Sequence, residues 1–303
     1  MMGRMQILLY HGVRPQKDLI SADIRQKHVP EAAFRRQLAW LKRRGRCVSL
    51  DTVLAMLRGE EPWDKRAFAI TFDDGYANNA ELAAPILKEH GMTATFFLTT
   101  GFLDGTHRLW VDRFETTFNK LASNMSPKER AQGDTKLREQ MKRVPVEERE
   151  RVLRQMEADA GSVAWPDLYR AMTWDDARHL QQDGFTLGAH TITHPNLSRC
   201  SAEEQEKEIV TSKQRIEEET GKPCQHFAFP NGQPGDWSDE TLAIISQAGF
   251  ESCSTTVDGP VRRTSDPLLL PRLTIDSGDD FLKFRLTVNG WRSKLRRLKN
   301  VLR

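Results

Sequence analysis

Two adjacent carboxylates and two histidines four residues apart are the groups in this 303-residue sequence best suited to chemistry. The carboxylates lie in Thr71-Phe-Asp-Asp-Gly-Tyr76, directly after the apolar run Phe68-Ala-Ile-Thr-Phe72. Neighbouring anions repel, so keeping Asp73 and Asp74 both ionised requires a cation beside them. Side chains alternate in direction along an extended chain, so the two point differently, and one can bind a metal while the other serves as a base. Gly75 allows a tight turn and the close approach of a ligand. An Asx turn or a helix cap is the plainer reading of the same residues.

The histidines lie in His190-Thr-Ile-Thr-His194-Pro195, just after the strand-like Phe185-Thr-Leu-Gly-Ala189. If the segment turns as one helical loop, this spacing brings both imidazoles to one face, within reach of a single divalent ion. With Asp74 the set becomes two histidines and one carboxylate, a facial arrangement that leaves positions open for water and substrate. A structural site would more often recruit cysteine, yet Cys47, Cys200, Cys224 and Cys253 form no C-x-x-C pair and read as free thiols. A third segment, Phe227-Ala-Phe-Pro-Asn-Gly232, runs from a strand into a turn fixed by Pro230 and Gly232. Its backbone N–H groups can face the site and stabilise an oxyanion. Tyr76 and Pro230, beside these turns, are candidate substrate contacts.

All three segments follow expected strands, which is where α/β enzymes place catalytic groups. Short apolar or β-branched runs alternate with amphipathic patterns, the signature of βα repetition and a mostly parallel sheet or barrel. Strands are expected at Met5–Tyr10, Phe68–Phe72, Thr93–Leu98, Phe185–Ala189, His226–Phe229, Phe250–Val257 and Leu268–Ile275. Phe34, Leu38 and Leu41 mark a helix closed by Gly45, and another runs through Ala80 to His90. Capping-box patterns open helices at Thr173 and Ser201, and Ser238 starts a third. Between about residues 103 and 171 the rhythm breaks into a stretch rich in Lys, Arg, Glu and Gln, read as a helical insertion. Trp110-Val-Asp-Arg-Phe-Glu115 at its start offers an aromatic sugar platform, Trp110, or a carboxylate near the pocket; helix packing is the rival explanation.

The balance of 45 basic and 42 acidic side chains, +3 overall, argues against a nucleic-acid partner. The expected division is one domain over 1–280 and a basic tail over 281–303, whose Leu295, Leu298 and Leu302 at helical spacing could lie on an anionic membrane surface. No signal-peptide run and no stretch of about 18 apolar residues occurs, so a cytoplasmic, membrane-peripheral protein is expected.

These segments resemble the polysaccharide deacetylase family, the NodB-homology or carbohydrate esterase family 4 group. Thr71-Phe-Asp-Asp-Gly75 is similar to its T-F-D-D-G motif and His190 to His194 to its H-[ST]-x-x-H motif, in the expected order. The resemblance implies an α/β fold, a distorted (β/α)7 barrel of the NodB type. It also implies a divalent ion on Asp74, His190 and His194, Zn2+ first with Co2+, Ni2+ or Mn2+ as substitutes, and Asp73 as catalytic base. The implied substrate is an N-acylated amino sugar. Two features depart from the pattern. Where the family carries R-x-P-Y-G, Ala228 and Asn231 stand at the Arg and Tyr places, so the Arg is missing while the Asn231 N–H can still serve. Arg272, in Leu270-Pro-Arg-Leu-Thr-Ile275, is expected to supply the guanidinium to Asp73. The late L-x-H motif is absent as well, and His11, in Tyr10-His-Gly-Val13, is the candidate acid. Rival readings are a deformylase or deacylase of a lipid-linked or small cyclic amide, and a catalytically silent carbohydrate-binding homologue.

Overall fold

The computed structural model describes residues 4–15, 27–276 and 280–290. Ten strands are present among them: β1 Gln6–Tyr10, β2 Gly12–Arg14, β3 His28–Pro30, β4 Arg46–Cys47, β5 Ala67–Phe72, β6 Thr95–Leu98, β7 Thr186–Ala189, β8 His226–Ala228, β9 Ser252–Ser254 and β10 Leu273–Thr274. Eight of them form one curled parallel sheet, seven in the order β10-β1-β5-β6-β7-β8-β9 and β4 beside β5. Its ends approach each other through the segment before β10, where Leu270 bridges Ser254 and accepts the Thr255 N–H at 2.8 Å. The result is the distorted (β/α)7 arrangement. One source of the distortion is β5, which pairs with β1 over Phe68 to Phe72 but splits its other edge between β4 at its start and β6 at its end. β2 and β3 pair separately.

Period-two alternation sorts the strand residues between two cores. Leu8, Tyr10, Phe68, Ile70, Phe72, Phe96 and Leu98 join the large cluster shared with the surrounding helices. Ile7, Ala67, Ala69, Phe97 and Ala228 belong to a second cluster with Val261 and Leu270. Thr71 and Asp73 continue the face of Ala67 and Ala69, so the alternation that buries the strand also sends Asp73 to the inner side.

Three helices, Trp110–Leu121, Pro127–Met141 and Val146–Ala160, occupy the stretch read as an insertion. They enclose a core of their own built on Trp110, Phe114, Phe118, Ala122, Met141 and Leu153. The capping boxes at Thr173, Ser201 and Ser238 are all formed, the last with Thr241 as its far partner.

Several expectations need correction. The helix read from Ala80 to His90 begins as a π-helical turn, Asn79–Ala83, and becomes α-helical only over Ala84–Glu89. Pro85 explains this, since it has no N–H to return to the preceding turn. The strand read over Leu268–Ile275 is reduced to Leu273–Thr274, because Pro267–Leu269 is a 3-10 turn and Pro271 lacks a ladder donor. β2, β3, β4 and the helix Leu50–Arg58 were not anticipated. Part of the stretch assigned to the tail is docked: helix Phe281–Val288 buries Phe284 and Val288 in the main core, with Phe284 against Trp40 at 5.7 Å between rings. The membrane-surface leucines at 295, 298 and 302 lie outside the described residues. Among the described residues no helix is long and apolar enough to cross a membrane.

Phe284→Ala is therefore expected to cost about 3–5 kcal/mol, the usual range for emptying a buried aromatic site. Urea unfolding of the full chain checks it; a loss within a few tenths would mean that the helix is not docked.

Candidate active site

β5 hands the chain to Asp73, whose N–H still bonds the Tyr10 carbonyl at 3.0 Å and so keeps the residue on the ladder. The next residue breaks away, for Asp74 has φ of 79° and Gly75 φ of 90°. A Cβ on Gly75 would sit 2.8 Å from Leu103 Cδ1, so glycine serves both the turn and the packing.

Arg272 is fully buried and grips Asp73 with both arms, Nη1 to Oδ1 at 2.6 Å and Nη2 to Oδ2 at 2.7 Å. The guanidinium is itself aimed by the Thr255 carbonyl, 2.9 Å from Nε, and by Thr71 Oγ1, 3.1 Å from Nη1. Burial pushes the Asp73 carboxyl up, but Arg272 and His190 outweigh it and hold the group below its ordinary value.

Asp74 Oδ1 lies 3.6 Å from His190 Nε2 and 3.4 Å from His194 Nε2. These three residues form a buried group whose donor atoms all fall within 4.8 Å of one another. Asp74 Oδ1 itself has no hydrogen-bond partner. Bonds of about 2.0–2.2 Å at tetrahedral angles put the donors of a zinc site about 3.4 Å apart, so the spacing fits such an ion. His190 Nδ1 donates to the Ala228 carbonyl at 2.7 Å, which leaves the Nε2 lone pair directed at Asp74. Burial drives His194 down to about 3, so its ring is neutral and ligand-ready at physiological pH. Burial also opposes charge on His190, but Asp73 and Asp74 bring that ring above its ordinary value.

The histidines do not share a helical turn. Thr191 (φ 66°) and His194 (φ 56°) are both left-handed, and the rings meet at 4.9 Å through a bent loop. Pro195 disfavours a right-handed helical residue before it. Glu208, on helix Ala202–Thr220, holds the loop by accepting the N–H groups of Ile192 (2.7 Å) and Thr193 (2.9 Å) and the Thr193 hydroxyl (2.6 Å).

A cleft of about 630 Å³ opens over this group, and His11, Asp73, Asp74, His190, His194 and Asn231 line it. Asn231 (φ 65°) donates no backbone hydrogen bond among the described residues, and its carbonyl is held by the Thr256 hydroxyl. His11 has a buried Nδ1 without a partner, and burial lowers its pKa against the pull of Asp74 and Asp73.

Three expected substrate contacts are elsewhere. Tyr76 is fully buried, with its hydroxyl on Asp112 at 2.8 Å and its ring among Phe102, Leu109 and Tyr169. Trp110 is a core residue of the three-helix unit. Pro230 is buried and shapes the turn, its carbonyl accepting the Gly232 N–H, without lining the cleft. Sequence reasoning also passed over Lys27, which lines the cleft and pairs with buried Asp112 at 2.6 Å. Burial pushes the Lys27 ammonium down, and Asp112 more than restores it. Nothing in the spacing around Lys27 signalled it, whereas Asp112 lay in the aromatic segment already singled out.

A sequence model of the family described as polysaccharide deacetylase matches residues 60–253, well over half the chain. The chain belongs to the polysaccharide deacetylase family. It is accordingly a hydrolase acting on carbon–nitrogen bonds other than peptide bonds. YxkH of Bacillus subtilis (strain 168) is 22% identical over 277 residues, 91% of this chain and 73% of that protein. A chitooligosaccharide deacetylase of Azorhizobium caulinodans is 34% identical over 83 residues, 27% of this chain and 38% of that relative. The fold is also that of the Streptococcus pyogenes deacetylase PplD, solved in complex with acetate, with a TM-score of 0.66 at 20% identity over 94% of this chain and 98% of that one.

Replacing Arg272 by Met strands the Asp73 charge and is expected to destabilise the metal-free protein by about 3–5 kcal/mol at neutral pH. Asp73 is depressed in the fold, so the stability it lends is complete above the unfolded carboxylate value of about 3.9 and is lost as pH falls through the folded value. The difference between wild type and R272M in urea midpoint should therefore shrink toward acid; a pH-independent difference would contradict the assigned pairing.

Proposed function

We propose that this protein removes N-acetyl groups from an oligo- or polysaccharide containing amino sugars, with a divalent ion held by Asp74, His190 and His194. The observation that carries the reading is a carboxylate, Asp73, which stands beside that three-residue cage without belonging to it and is oriented by Arg272. The unpartnered Asp74 oxygen and the anchored His190 tautomer suit a cation, and two imidazoles with one carboxylate favour Zn2+, with Co2+, Ni2+ or Mn2+ as substitutes. When bound, such an ion supplies Lewis acidity and makes water a stronger acid.

Asp73 then has the position of general base. Its two oxygens keep lone pairs beyond those that Arg272 uses, so it can take the proton of a water attacking the amide carbonyl. The Asn231 N–H, without a partner among the described residues, can donate to the oxyanion of the tetrahedral intermediate. His11 lines the same cleft and is the proposed hydrogen-bond donor to the leaving amine. Because burial keeps its ring neutral, the proton that completes C–N cleavage is assigned to Asp73, which gained one in the preceding step. Acetate and a free amino sugar result.

Acetyl is favoured over formyl because PplD was solved with acetate and other relatives are chitooligosaccharide deacetylases. A silent binding role gives no reason to bury an arginine against a carboxylate beside the cage.

Chelation should abolish acetate release from N-acetylglucosamine oligomers, and Zn2+ should restore it. Asp73→Asn should lower kcat by about 10²–10⁴-fold with metal content intact, while His194→Ala should lose the metal. Full turnover in D73N would remove the base, and formate release from N-formyl sugars in preference to acetate would replace the substrate.

A further inference from the structure

A second cavity, of about 440 Å³, borders the histidine loop. Thr193 of that loop contributes to its wall, together with Trp110, Arg113, Arg149, Glu150 and Glu157 of the three-helix unit. Arg149, on helix Val146–Ala160, is only 3% exposed, yet its guanidinium makes no hydrogen bond or ion pair among the described residues, and its Nε is buried without a partner. What it has is the face of Trp110, 4.8 Å from ring centroid to guanidinium carbon. The indole N–H of Trp110, a residue 2% exposed, is likewise buried without an acceptor.

The acids on the wall are already committed. Arg113 takes Glu157 at 2.8 and 3.0 Å and Glu150 at 2.7 Å. Burial pushes the Arg149 guanidinium down from its ordinary value, and the fields of Glu150 and Glu208 do not make up the difference. Natural folds rarely bury a cation without an anion, and a buried indole N–H usually finds an acceptor. Two such donors on one cavity lack the same thing, an anionic acceptor. The planar fork of arginine matches phosphate oxygens, and the cavity falls in the size range of small-molecule sites, with room for more than a lone ion.

We propose that this cavity binds a phosphate-class oxyanion, free or as a phosphoryl group carried on a sugar, through Arg149 and the Trp110 N–H. The proposal stands apart from the deacetylation reading, because it uses none of the residues assigned to that chemistry.

The test is isothermal titration calorimetry of the full chain with inorganic phosphate and with N-acetylglucosamine 1-phosphate, at ionic strength held constant with chloride. Wild type should bind, and Arg149→Met should weaken binding about 10- to 100-fold, the change expected on losing a charge-assisted hydrogen bond. Trp110→Phe, which removes only the N–H, should weaken it less. In phosphate-free buffer R149M should melt no lower than wild type, since it removes an uncompensated buried charge. A purely structural arginine would give a lower melting temperature and no binding. Equal affinity for the two probes assigns a free anion, and tighter binding of the sugar phosphate assigns a carried phosphoryl group. Absence of binding by both in wild type, or binding unchanged in both variants, overturns the proposal.

Discussion

Two carboxylates leave the end of one strand within a single residue of each other, in a site almost closed to water, and both must remain ionised. The surroundings solve this separately for each. Asp73 stays on the ladder and meets a guanidinium that two other groups hold in place. Asp74 turns away at a positive φ and meets two imidazoles and the field of Lys27. Like charges on adjacent residues are tolerable only because the backbone sends them to different partners. Had Asp74 stayed extended, alternation would have directed it toward the helix-facing core of Phe68, Ile70 and Phe72.

That division has a conformational cost, and its location is informative. Among the described residues the non-glycine positions with positive φ are Asp74, Thr191, His194 and Asn231, all four at the site. Thr191 is β-branched, which makes its left-handed backbone the least favourable of the four. Its hydroxyl accepts the His194 N–H at 3.0 Å, Glu208 fastens the next two N–H groups, and Gly101 donates to the Ile192 carbonyl at 2.9 Å. A loop this thoroughly tied persists in a strained shape and delivers both rings without rearrangement.

Legibility in the sequence followed chain distance and burial direction. Asp73 and Asp74, and His190 and His194, could be read because each pair is local and follows a strand whose apolar run is unmistakable. Arg272, 199 residues from Asp73, was reachable only through its place in the last expected strand and the vacancy that Ala228 leaves in the third motif. Tyr76, Trp110 and Pro230 were misassigned for a shared reason: an aromatic or a proline beside a motif looks the same in sequence whether it faces a ligand or a core. Phe284 and Val288 were hidden by the basic residues that follow them. Glu208 and Lys27 act through loops that their own neighbours do not announce.

The three-helix unit adds surface beside the site while the reactive groups stay on the strand ends. Its aromatic core is self-sufficient, and among the described residues of the unit Val111, Arg138 and the C-capping Lys142 line the main cleft. Arg138 arrives compensated, since buried Glu115 and Asp134 lie 3.2 and 2.8 Å from its Nη2. Toward the cleft the unit therefore offers shape more than charge, and the reactive groups remain on strand ends, where the ladder fixes them. Arg149 is the contrast, a buried cation with no ion pair among the described residues, the acids nearest it being taken by Arg113. A buried charge left without an ion pair, in a module whose other buried ions are paired, Arg138 with Glu115 and Asp134 and Asp112 with Lys27 from outside it, is better explained by a site for an anionic ligand than by tolerance of an unpaired charge.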